Sequence, residues 1–110
     1  MEQEVLSLPD QGDGVRVITC AGELDLATQE PLRQACASAV TDPAVRRIVL
    51  DVGRVTFADS SLLNTVLNVL DIRSLVLAGP LPQTLARVLE LTQADRLFPT
   101  AASVEEARTL

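Results

Sequence analysis

Lysine and histidine are both missing from this 110-residue chain, so all nine of its basic residues are arginine. Without imidazole or a desolvated side-chain amine, no serine here has the base that normally activates a nucleophile. A Walker-type phosphate loop, a Schiff-base lysine and a zinc site built with imidazole are excluded on the same ground. Tryptophan and tyrosine are absent too, and aromatics amount to 2% of the sequence. The interior must therefore be filled by Leu, Val, Ile and Ala, and a platform for stacking bases or sugars has no material. The formal charge is −6, and the arginines are scattered singly, which argues against a polyanion partner that needs clustered cations to release counterions.

Long apolar runs are also lacking. No stretch approaches the roughly eighteen residues a membrane span requires, and the acidic opening Met1-Glu2-Gln3-Glu4 is unlike a secretory leader. A cytoplasmic protein without membrane or nucleic-acid partners is expected. The two cysteines, Cys20 in a strand pattern and Cys36 on the apolar face of a helix, read as small buried hydrophobes in a reducing compartment.

What remains is a chain that is 47% hydrophobic, long enough for one domain over 1–110 with a modest core. Val5–Leu8 and Val15–Ala21 are β-leaning runs separated by the turn-rich Pro9-Asp10-Gln11-Gly12-Asp13-Gly14, which predicts an antiparallel pair. Gly22-Glu23-Leu24-Asp25 reads as a loop leaving the sheet. From about Thr28, apolar residues recur at Leu32, Ala35, Cys36, Ala39 and Val40, the spacing of a helix with one buried stripe. Pro31 suits its first turn.

Arg47–Val52 reads as a strand, and 53–58 leads to the corner Asp59-Ser60-Ser61. The helix that follows, Ser60 to about Asp71, is expected to bury Leu63, Val66, Leu67 and Leu70, with Ser61, Asn64, Asn68 and Asp71 as a polar stripe and Leu62 and Val69 exposed beside it. Ser74–Ala78 is a continuous apolar strand of the doubly covered kind. A helix over Pro82–Thr92, a last strand at Arg96-Leu97-Phe98 and a short helix opened by the S-x-x-E sequence Ser103–Glu106 complete the pattern. Strands and helices in alternation imply an α/β fold: a mixed sheet of four to five strands opened by an antiparallel hairpin, with crossover helices. In such sheets function collects at the carboxyl ends of the strands, where Asp59-Ser60-Ser61 lies.

Two readings of that corner stand side by side. In one, Asp59 caps the helix and the serines are tolerated neighbours, an arrangement worth about 0.5–2 kcal/mol. In the other, a hydroxyl at the positive end of the helix accepts a phosphoryl group, which adds about −1.5 to −2 charges without unfolding the domain. Glu23 and Asp25 are likewise either acids near a helix start or a charged rim beside the serines.

Four blocks in order carry a family likeness: 22–28 (Gly-Glu-Leu-Asp-Leu-Ala-Thr), 48–52 (Ile-Val-Leu-Asp-Val), 55–61 (Val-Thr-Phe-Ala-Asp-Ser-Ser) and 89–99, from Leu89 to Pro99. Together they resemble the STAS domain, and especially its free-standing bacterial anti-anti-sigma factors such as those of the SpoIIAA type. The resemblance implies helices mainly on one side of the sheet. It also implies a non-enzymatic partner switch without a cofactor of its own: an anti-sigma factor that is also a serine kinase binds the unmodified protein and is released when it is phosphorylated, and a PP2C-type phosphatase resets the state. Carried over by position, Ser60 is the phosphoacceptor and Ser61 the second choice. The expected partner surface comprises Glu23, Asp25, Asp59, Ser61, Leu62, Asn64, Thr65, Asn68 and Val69, on a monomer or weak dimer. Leu62-Leu63-Asn64 stands where the family commonly has Gly-Leu-Gly, and the connection to Ser74 is shorter than usual, so partner recognition is expected to differ. The alternative is a scaffold module without phosphorylation that uses Leu62 and Val69 as a permanent apolar contact.

Overall fold

The computed structural model describes residues 4–8 and 11–110; Pro9 and Asp10 of the expected turn, and Met1 to Gln3, lie outside them. The order is β1 (Glu4–Ser7), β2 (Val15–Leu24), α1 (Glu30–Thr41), β3 (Arg47–Ala58), α2 (Ser60–Leu70), β4 (Ser74–Ala78), α3 (Gln83–Leu91), a 3₁₀ turn (Ala94–Arg96), β5 (Thr100–Ala101) and α4 (Val104–Thr109). The five strands form one sheet in chain order, with β1 antiparallel to β2 and every later pair parallel.

That order fixes where the helices go. A right-handed crossover that always steps in the same direction delivers each connecting helix to the same face. α1, α2 and α3 accordingly share one core with Ile18, Cys20, Ile48, Leu50, Leu75 and Leu77. The alternate strand residues Val15, Val17, Val49, Val76 and Ala78 face the other way, where Ala107 and Val104 of α4 cover them. The same order has no reversal point, the place where open α/β sheets form their ligand crevice.

Three expectations are corrected. Gly22, Glu23 and Leu24 belong to β2, and 53–58 belong to β3, so both strands run further than the apolar patterns suggest. The reason is a pair of bulges: β2 advances from Thr19 to Ala21 while β3 advances from Asp51 to Arg54, and from Gly22 to Glu23 while β3 passes from Val55 to Phe57. Each extra β3 residue breaks strict alternation; Val52, Val55 and Ala58 all reach the same core. Gly22 takes φ +84° there, a backbone state that glycine adopts without a Cβ clash.

The expected strand at Arg96-Leu97-Phe98 is instead a 3₁₀ turn and its exit, and pairing with β4 waits until Thr100. Gln93 at φ +61° turns the chain there, and Phe98 is buried from the turn as a plug. The third correction concerns α2, whose Leu62 (1% exposed) and Val69 (5%) are buried. A helix packed on the sheet alone buries one stripe. α2 sits between α1 and α3, so its flanks are covered as well. The capping expectation for α4 agrees with the structure: the Ser103 hydroxyl accepts from the Glu106 N–H at 3.2 Å.

Candidate functional site

β2 and β3 end side by side. Leu24 pairs with Ala58 in parallel register, and the Asp59 N–H donates to the Leu24 carbonyl at 3.4 Å. This brings the Asp25 turn and the Asp59-Ser60-Ser61 corner together at the carboxyl end of the sheet.

At the corner, Asp59 is extended and its Oδ1 accepts from the Ser61 N–H at 2.8 Å, the capping bond expected from sequence. Ser60 is the first residue of α2 and is exposed, and its hydroxyl makes no hydrogen bond to another described residue. Ser61 is half-buried. Of the two serines, Ser60 is the more exposed. Ser60, Asn64 and Asn68 form the exposed line of α2, which Asp71 continues at its C-cap.

The Asp25 turn is tied up in itself. Asp25 Oδ1 accepts from the Ala27 N–H (2.9 Å), the Thr28 N–H (3.0 Å) and lies 3.0 Å from the Thr28 hydroxyl. That hydroxyl accepts from the Asp25 N–H at 3.0 Å and donates to the Glu23 carbonyl at 2.9 Å. Asp25 therefore shapes the loop with one carboxylate oxygen, while Glu23 points out as an exposed acid. Thr65, expected on the partner surface, is 8% exposed. Its hydroxyl lies 2.8 Å from the Gln29 amide oxygen and 3.2 Å from the Ser61 carbonyl. It ties the start of α1 to the first turn of α2. Leu62, Thr65 and Val69 thus hold the helix in place from within, whereas Ser60, Asn64, Asn68 and Glu23 are exposed and Asp25 is half-buried.

Sequence reasoning missed the apolar groove beside the corner. It measures about 450 Å³ and is lined by Phe57, Asp59 and Ser60 on one wall and Arg87, Val88 and Leu91 on the other. Phe57 is 42% exposed and Leu91 71%. Phe57, one of only two phenylalanines, placed at a strand end, was the available signal. A smaller seam of about 190 Å³ runs between α1 and α2 past Cys36, Thr65 and Val69. Among the described residues no cluster of His, Cys, Asp and Glu is arranged to hold a metal ion, and no helix is long and apolar enough to cross a membrane.

A mixed sheet with three crossover helices on one face, and an aspartate-capped serine corner at its carboxyl edge, defines an α/β domain of the SpoIIAA-like class. A family model described as "Mlab, STAS domain" matches residues 7–99, and the chain belongs to the STAS domain family. Among solved structures, an anti-sigma factor antagonist from Mycobacterium paratuberculosis is similar at 26% identity and TM-score 0.81, over 98% of this chain and 92% of that one. The phosphorylated form of the Bacillus cell fate determinant SpoIIAA matches at 25% identity and TM-score 0.72, over 94% and 96% of the two chains. A third, described as a putative anti-sigma factor antagonist from Thermotoga maritima, shares the fold at 20% identity and TM-score 0.79, over 94% and 90%.

Proposed function

We propose that this protein is an anti-sigma factor antagonist that works by partner switching in the cytoplasm, with Ser60 as the phosphoacceptor. The observation that carries the reading is the exposed Ser60 hydroxyl directly after a capping aspartate, at the strand-end corner of a STAS fold. Support comes from a similar structure described as an anti-sigma factor antagonist and from another described as the phosphorylated form of the Bacillus cell fate determinant SpoIIAA.

In this reading a serine kinase that is also the anti-sigma factor binds the exposed edge formed by Glu23, Asp25, Ser60, Asn64 and Asn68. Ser60 Oγ attacks the γ-phosphorus of ATP held by that kinase. The new O–P bond replaces the bond to ADP, and the hydroxyl proton passes to a base on the kinase, since this chain has neither His nor Lys. The product carries about two further negative charges on an edge that already holds three acids. Like-charge repulsion and the cost of desolvating a phosphoryl group then release the partner. A PP2C-type phosphatase restores the hydroxyl by hydrolysis.

The test uses the purified chain, ATP and candidate ATPase-type serine kinases from the same genome. Peptide mass spectrometry is expected to place phosphate on Ser60, with labelling abolished in Ser60→Ala. Ser60→Asp is expected to weaken kinase binding about tenfold or more, a cost of about 1.4 kcal/mol. Undiminished labelling of Ser60→Ala overturns the assignment. A stable complex with a partner that has no kinase domain would select the unphosphorylated scaffold instead, with Phe57 and Leu91 in place of the buried Leu62 and Val69 as its apolar contact.

A further inference from the structure

We propose that Arg87 is the counter-ion that receives a phosphoryl group on Ser60, drawing it across the apolar groove between the end of β3 and α3. This rests on the reading of Ser60 as phosphoacceptor and adds where the modified group goes. Ser60, at the start of α2, and Arg87, on α3, line one groove of about 450 Å³. A phosphoryl group projecting from Oγ and a guanidinium on a flexible three-carbon stem close such a gap between them.

The walls are fixed relative to each other, because the Ala58 N–H donates to the Thr84 hydroxyl at 3.2 Å and pins the start of α3 to the end of β3. Among the described residues, two charged ones line the groove, Asp59 and Arg87. Asp59 already spends Oδ1 on the Ser61 N–H. Arg87 is exposed and makes no ion pair with a described carboxylate, whereas Arg16, Arg33 and Arg108 each have one.

Apart from the positive N-terminal end of α2, the charged surroundings of the corner repel a phosphate. Asp59 lies in the groove, and Glu23 and Asp25 stand at the neighbouring strand end. Arg87 is the one cation among the described residues that line the groove, and a guanidinium offers two parallel N–H donors to phosphoryl oxygens. A bridge of this kind spans the mouth above Phe57, Val88 and Leu91. It would hide the exposed apolar surface beside the corner at the moment when that corner becomes charged. The modification thus subtracts an apolar contact as well as adding repulsion.

The test installs phosphoserine at position 60 by genetic encoding, without any kinase, and follows its second ionisation by ³¹P NMR titration. The proteins compared are otherwise wild type, Arg87→Gln, and Arg33→Gln as an equal charge change on α1. Free phosphoserine ionises near pH 6. The wild-type value is expected to lie about 0.5–1 below that of Arg87→Gln, with Arg33→Gln matching wild type. Arg87→Lys is expected to fall between, since an ammonium keeps charge but loses the paired donors. Equal values for wild type and Arg87→Gln overturn the proposal, and so does an Arg33→Gln protein that shifts as much as Arg87→Gln. Because no kinase is involved, a negative result counts against Arg87 alone. Failure of the kinases to label Ser60 counts against the reading of Ser60.

Discussion

At the scale of single residues, the capping and switching readings of Asp59-Ser60-Ser61 are compatible, because they call on different residues of the corner. Asp59 caps through the Ser61 N–H, and Ser60 beside it is exposed. Asp59→Ala is expected to cost about 0.5–2 kcal/mol and Asp59→Asn much less, because an amide oxygen also caps; urea denaturation measures both. If Asp59→Ala were as stable as wild type, the corner would owe its shape to something other than the cap. This much was legible from residue types, since Asp before a helical run has a mechanism. The roles of Leu62, Thr65 and Val69 were not. A sequence shows how wide the apolar stripe of a helix is but not how many neighbours flank it. Thr65 looked like a surface hydroxyl because its partner, Gln29, lies 36 positions away on another element. Arg87 and Phe57 were invisible as a pair for the same reason.

At the scale of elements, the ends of β2 and β3 carried the least local signal. Glycine and acids at 22–25 resemble a loop in any window, yet a bulged pairing with β3 keeps 22–24 in the sheet. The glycines there are steric devices. Gly79, at the end of β4, has φ +93°, and a Cβ on it would lie 3.1 Å from the Cα and N of Gly53 and 3.2 Å from Asp51 Oδ1. Those are backbone neighbours, and the Asp51 oxygen is held by the Gly53 N–H at 3.1 Å, so neither gives way cheaply. Gly79→Ala is therefore expected to cost about 1–3 kcal/mol from positive φ and contact together. Gly53→Ala, whose Cβ would meet nothing closer than 3.4 Å at Pro80 Cδ, is expected to cost clearly less. Urea midpoints of the two variants decide, and equal losses would show that crowding at the β3–β4 crossing is not what requires Gly79. The other elements were legible because their periodicity is strong: α1, α3 and the continuous apolar run of β4 need no neighbour to be read.

At the scale of the whole molecule, alternation of strands and helices plus handedness sufficed for the architecture, since sequential right-handed steps leave a single choice of face for α1 to α3. The packed face they create also sets the pH behaviour of the protein. Cys20 on β2 and Cys36 on α1 lie in the same core. Burial, with smaller contributions from the charges of Cys36 and Asp51, pushes the Cys20 thiol up from 9.0 to about 12, and burial alone pushes Cys36 up to about 11. Raised folded-state values mean that the unfolded chain loses these protons first. Their stabilising effect is therefore complete below pH 9 and is lost as pH climbs from about 9 toward 11–12, at up to about 1.4 kcal/mol per pH unit for each thiol. In most proteins tyrosine and lysine titrate in the same window and obscure such a slope. Here both are absent, and arginine stays charged throughout, so the alkaline limb of the stability curve belongs to the two thiols. Urea midpoints are expected to fall steeply above pH 9 in the wild type. The limb should shallow in Cys20→Ala and again in the double variant with Cys36→Ala, whatever each substitution costs at neutral pH. A wild-type protein equally stable at pH 8 and pH 11 would place these sulfurs in contact with water, and with them the seam between α1 and the sheet on which the position of Gln29, Thr65 and the Ser60 corner depends.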